Sequence, residues 1–219
     1  MDVEDALGRA QLHAHRLCDE AMVKAQGLFA IWDTYNTAEN PLRGPLSYSE
    51  ASISINQMAT SVLHETILIL VASMDVRGRS TLEKTNRVSF PIVRELLSRP
   101  GVMGDVLARA DIPIANKQAF DRYCSALDRL DVEQPNRLQR LRHFRDEYLA
   151  HHLDFPVGRT PPLMSDITTM LAELSNIAAD LQNALYGQHV DWEHRRVQMR
   201  ESALSLWSLV AKGSGWRGK

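Results

Sequence analysis

Two cysteines are all that this 219-residue chain contains, and neither belongs to a pair at metal-ligand spacing. Cys18 and Cys124 therefore indicate neither a zinc ribbon nor a disulfide framework, and read as reduced thiols on helix faces. Glycine-rich phosphate loops are missing as well: there is no GxGxxG, no Walker loop and no GxSxG elbow. Charge of one sign is not in excess. A formal net charge of −2 excludes a polycation built to coat nucleic acid, so any anion site must be a local patch. The amino terminus, Met1-Asp2-Val3-Glu4-Asp5, is acidic and lacks the basic-then-apolar layout of a signal peptide. The most apolar stretch, Ile67 to Met74, falls far short of the roughly 20 residues a bilayer span demands. A cytoplasmic protein with no membrane association is expected.

Strand-like alternation is also missing, and what replaces it is helical periodicity almost throughout. A first long helix is predicted over about Val3 to Tyr35, ending at the breakers around Pro41 and Gly44. The spread of apolar positions from Tyr48 to Met74 predicts a second, central helix. Residues 75–88 read as a polar loop, and Ser89 as the cap of a short helix through Leu97, with Pro91 tolerated in its first turn. Further helices are predicted over 102–109, 116–130, from Pro135 to near Phe155, through Ile167, Met170, Leu174, Ile177 and Leu181, and over 191–211. Without repeats, low-complexity blocks or a linker, the chain reads as a single all-α bundle over residues 1–212 with a flexible tail at 213–219.

Within that bundle the informative segment is Arg145-Asp146-Glu147-Tyr148-Leu149-Ala150-His151, followed by His152. Spacing alone carries little. With 20 arginines and 8 histidines, about two Arg–His pairs separated by four to six residues arise by chance, and Arg9–His15 and Arg137–His143 share the pattern. The surroundings say more. On one continuous helix Leu138, Leu141, Arg145, Tyr148 and His152 recur at spacings of three, four, three and four. That places Arg145 and His152 in the stripe that would otherwise be apolar, with His151 on the neighbouring face. A guanidinium there must be paired or solvated by a cleft. Arg137, Arg140, Arg142, His143 and Arg145 also make this helix locally basic, which suits either a solvated face or a phosphate chain. The histidines fall at the helix end, where the dipole favours a positive imidazole and a proton-transfer role near neutral pH. The competing reading is structural: Arg145 snorkels to water or pairs with a carboxylate across the bundle.

Other constellations are weaker. His189 and Glu193 could share a helix face, but no further metal ligand can be named, and no metal site is expected. His13, His15 and Cys18 lack ligand spacing and read as surface and seam residues. His64-Glu65, in the most apolar helix, reads either as a satisfied core pair or as the lining of a cleft.

Arg145-Asp146 with Ala150-His151 resembles the RX4–6H signature of HEPN domains, in which a polar residue commonly follows the arginine. Upstream, Ile69 to Asp75, a polar loop and then Val88-Ser89-Phe90-Pro91-Ile92-Val93-Arg94-Glu95-Leu96-Leu97 resemble the corresponding region of AbiU-type HEPN proteins, named for phage abortive infection. A final helix bearing Trp192 and Trp207 fits the same order of elements, and the resemblance covers roughly residues 50–210. It implies an all-α bundle, often dimeric, and in many members a metal-independent ribonuclease without a cofactor, whose Arg and His converge across the dimer interface. Carried to this chain, Arg145 would stabilise the charged phosphorane-like transition state. His151 would move protons at the 2′-hydroxyl or the leaving oxygen, and Asp146 would fill the polar position. RNA, a second copy of the chain and an antitoxin protein are the implied partners. The doubled histidine departs from the family pattern: His152 also meets the spacing, and His151 is preferred only by the Ala-His pattern. A non-catalytic helical module of the same fold, binding a nucleotide, nucleic acid or protein, is the alternative, and an unrelated bundle with a structural Arg145 salt bridge is a third.

Overall fold

The chain enters its first helix through Asp2, whose extended backbone lets its carboxylate accept from the Asp5 amide at 2.8 Å. The structure is a computed structural model that describes residues 1–37, 52–76, 81–82, 85, 87–133, 135–149 and 162–213, with the side chains of 132, 133, 135 and 148 also left aside. Among the described residues every regular element is a helix, and the all-α expectation holds.

The long first helix is α1 (Val3–His15), a π-helical turn (Arg16–Ala21) and α2 (Met22–Asn36) in one run. Periodicity located that run but not the π turn inside it. Then come α3 (Ser52–Ser73), α4 (Phe90–Leu97), α5 (Val102–Arg109), α6 (Pro113–Glu133), α7 (Pro135–His143) with a second π turn (Phe144–Leu149), α8 (Met164–Tyr186) and α9 (Trp192–Gly213). The predicted breaker loop at 40–45, the stop near Phe155 and the tail beyond Gly213 lie outside the described residues.

Contacts gather the chain into two compact units, one of residues 1–23 and 68–191, the other of 24–67 and 192–219. In the larger unit α6 and α8 pack along each other, and α4 packs on α1. The predicted stripe of α8 is its core face: Ile167, Met170, Leu174, Ile177 and Leu181 are all buried. Tyr123 of α6 is fully buried and donates its hydroxyl hydrogen to the Phe90 carbonyl at 2.5 Å, tying α6 to the start of α4. Gly101 opens α5 in the left-handed region at φ 86°, with the side chain of Val3 3.2 Å from where a Cβ would stand.

The smaller unit is built around Trp207 of α9. Its indole N–H donates to the Ile31 carbonyl at 3.0 Å and to the Thr34 hydroxyl at 3.2 Å, and Tyr35, Ile55, Ala59 and Ala211 close over the ring.

Helix α3 is less buried than its apolar pattern predicts. Ile53, Met58 and Leu68 are exposed, and only 33% of its most apolar window is inside the molecule. By length and composition alone this helix could cross a membrane, at mean hydropathy 1.3. Glu65 is no core partner of His64 either; its carboxylate is half-exposed and pairs with Lys24.

Candidate functional site

A helix ends with carbonyls that its own amides cannot reach, and these carry partial negative charge. At the end of α3 the chain tightens through Met74 N–H to Val71 O (3.0 Å) and Asp75 N–H to Ala72 O (3.2 Å), which occupies two of these carbonyls, and the carbonyls of residues 74–76 just beyond the helix take side-chain donors. Each finds one. Arg142 Nη2 donates to Met74 O at 2.9 Å, Ser89 Oγ to Asp75 O at 2.5 Å, and Arg87 Nη1 to Val76 O at 2.8 Å. Ser89 thus holds the N-cap position of α4, as predicted, but gives its hydroxyl to this loop and makes no cap bond to the helix.

The arginine helix reaches the same place from α7. Leu138 and Leu141 are buried and anchor it, which leaves the arginines around the edges of that seam. Arg145 lies one residue into the π turn, and its side chain is 23% exposed. Its Nη1 donates to both oxygens of Asp75, at 3.2 and 3.0 Å, and its Nε donates to Asp146 Oδ1 at 2.6 Å. Nη2 has no partner among the described residues. The guanidinium is held further into its charged state, first by the bond to Asp146 and then by Asp75, with partial burial opposing both.

Asp166, buried at the start of α8, collects two more of the predicted arginines. Arg140 grips it through Nε (2.9 Å) and Nη2 (2.6 Å), Arg137 adds a longer Nε bond (3.4 Å), and the Leu163 amide donates at 2.8 Å. These donors, Arg140 foremost, hold the Asp166 carboxyl below its usual range against the opposing effect of burial. Arg137 Nη1 is buried without an acceptor. His143 is half-buried and makes no hydrogen bond among the described residues. Arg137, Arg140 and Arg142 thus spend donors on protein oxygens, and the patch is less open to a phosphate chain than its composition suggests.

His151 and His152 lie outside the described residues, so their distance from Arg145 is not part of the geometry. The helical wheel that set His152 beneath Arg145 assumed α spacing throughout. The π turn from Phe144 to Leu149, bonded i to i+5, removes that reason for preferring His152.

Sequence reasoning did not assign roles to Asp75 or Asp166. For Asp166 a signal existed: an acid just before the first apolar position of a helical stripe, and shortly after Pro162, can bond back to the residue that caps the helix. For Asp75 the hints were an acid directly after the most apolar helix and its place at the end of the Ile69–Asp75 segment of the resemblance.

The other constellations resolve simply. Glu193 pairs with Arg196 at 2.6 Å, His194 meets Gln198 at 2.9 Å, and His15 meets Asp19 at 2.9 Å. Both cysteines are free, and among the described residues no cluster of three or more metal-ligating side chains occurs. A cleft of about 270 Å³, lined by Gln11, Arg109, Asn116 and Tyr186 among others, includes none of the residues discussed above. No protein-family model, no curated protein and no solved structure matches this chain.

Proposed function

We propose that this chain is a HEPN-type, metal-independent endoribonuclease acting in phage defence or as a toxin held by an antitoxin, with a homodimer completing its site. The observation that carries the reading is Arg145: a quarter-exposed guanidinium in a π turn, fixed by two carboxylates and with Nη2 unengaged among the described residues. Pre-fixed donors aimed at developing charge are what phosphoryl transfer requires. In the reaction the RNA 2′-oxygen bonds to phosphorus as its proton passes to a base. The P–O5′ bond breaks and the departing O5′ takes a proton, leaving a 2′,3′-cyclic phosphate and a 5′-hydroxyl. His151, the family-pattern choice, or His152 moves these protons, and DNA is inert because it lacks the nucleophile.

The test is cleavage of single-stranded RNA in EDTA. Arg145→Ala is expected to slow turnover by about 10²–10³-fold, the usual loss for one charge-stabilising donor. Replacing His151 or His152 with Ala identifies the proton-transfer residue by which loss is larger. Cleavage that survives Arg145→Ala defeats the assignment.

One observation favours a second reading, a non-catalytic module of the same fold. Arg137, Arg140, Arg142 and Arg145 all bond protein acceptors, as they would if their work were to hold α7 in place. Wild-type protein that binds RNA in EDTA without cutting it supports that reading.

A further inference from the structure

The two carboxylates on Arg145 are differently built. Asp75 comes from a distant part of the chain, is 26% exposed, and sits on a main chain fixed by Arg142, Ser89 and Arg87 through the carbonyls of residues 74, 75 and 76. It takes Nη1 with both oxygens. Asp146 is the next residue in sequence, is 56% exposed, and takes Nε alone; no other hydrogen bond restrains it among the described residues. A guanidinium presents planar two-donor edges that match a carboxylate or a phosphate. With Nη1 occupied by Asp75, the edge left for a ligand is the one formed by Nε and Nη2, and Asp146 covers half of it.

We propose that Asp75 is the positioning residue for Arg145 and that Asp146 is a displaceable cover, a resident carboxylate that leaves Nε when a phosphodiester takes Nε and Nη2 together. The proposal rests on the ribonuclease reading and adds how its site is held and masked. Exchange is cheap on the Asp146 side, because an exposed carboxylate returns to water with little loss. It is costly on the Asp75 side, where the carboxylate is backed by a pinned main chain. The same charge therefore acts in opposite directions at the two positions.

Two measurements separate the roles. Binding is read by fluorescence anisotropy with a 2′-O-methyl RNA, which cannot be cut, and turnover with the matching unmodified RNA. Asp146→Asn is expected to tighten binding about three- to tenfold, since a competing charge is gone. Asp75→Asn is expected to lower kcat about 10–100-fold, the usual cost of a misplaced catalytic group, without raising KM. Simple charge removal at Asp75 predicts tighter binding with turnover intact, so wild-type kcat in Asp75→Asn overturns the positioning role. Binding no tighter in Asp146→Asn overturns the cover.

If Asp75→Asn does not fold, Asp75→Glu replaces it, with wild-type kcat again overturning the positioning role, and the Nε–H resonance of Arg145 titrated with inorganic phosphate tests the cover independently. The signal is expected to shift at lower phosphate in Asp146→Asn than in wild type, and a signal that moves in neither protein overturns the proposal. Wild type that cuts no RNA defeats the ribonuclease reading, while the phosphate titration still decides whether Asp146 covers Nε.

Discussion

Asp166 answers the Leu163 amide and the guanidinium groups of Arg137 and Arg140 from a position 2% exposed to solvent. Removing its charge leaves two partly buried cations without their partner, a loss larger than that of a surface ion pair and smaller than that of a fully buried one. Asp166→Asn is expected to destabilise the larger unit by about 2–3 kcal/mol at pH 7, measured by urea unfolding. The sign of the pH dependence follows from the lowered carboxyl. Because the folded value lies below the unfolded one, the stabilisation is complete above an unfolded value of about 3.9 and is lost as pH falls through the folded value. Wild type and Asp166→Asn should therefore differ steadily from pH 7 to about pH 4 and converge only in stronger acid. A gap that closes between pH 7 and pH 5 would assign the effect to another group.

Among the elements, the regular helices were legible in the sequence and the irregular turns were not. Proline and glycine mark boundaries because their backbone limits are local: Pro135 opens α7, and Gly101 takes the left-handed turn before α5. The core stripe of α8 was legible for the same local reason. The π turns were invisible, because one looped-in residue changes the apolar spacing by a single position, and a short stripe of threes and fours does not reveal where that position falls. The ion-pair partners of the arginines were invisible because they are tertiary: Asp75 is 70 residues from Arg145, and Asp166 is 26 from Arg140. Hence the arginine helix could be located from sequence, but not the protein acceptors that all four of its arginines bond. Helix α9 gives the prediction at this scale. Trp207 is fully buried and its N–H is doubly bonded, so Trp207→Ala is expected to cost about 3–5 kcal/mol, read by denaturant unfolding. Trp207→Phe should lose less, since it keeps most of the ring and forfeits the two hydrogen bonds. Equal losses for the two variants would show that the hydrogen bonds, not the packing, dominate.

At the scale of the molecule, neither unit is a continuous piece of chain. The smaller unit combines residues 24–67 with 192–219, and its core joins Tyr35, Ile55 and Ala59 from the first segment to Trp207 and Ala211 from the second. Truncation after Asp191 is therefore expected to leave the larger unit helical by circular dichroism while Tyr35 and Ile55 become sticky surface, raising dye binding and lowering solubility. A truncated chain as soluble as the full one would contradict that core. Divided construction also sets a timetable for biosynthesis. At about 5–20 residues per second, roughly 7–28 s separate the emergence of residue 67 from that of Trp207. Throughout that interval Tyr35 and Ile55 are already outside the ribosome and the residue that covers them has not yet emerged. For a nascent chain this is the most exposed stage of its life, and a chaperone or co-translational partner has its opening there, before the protein can do anything else.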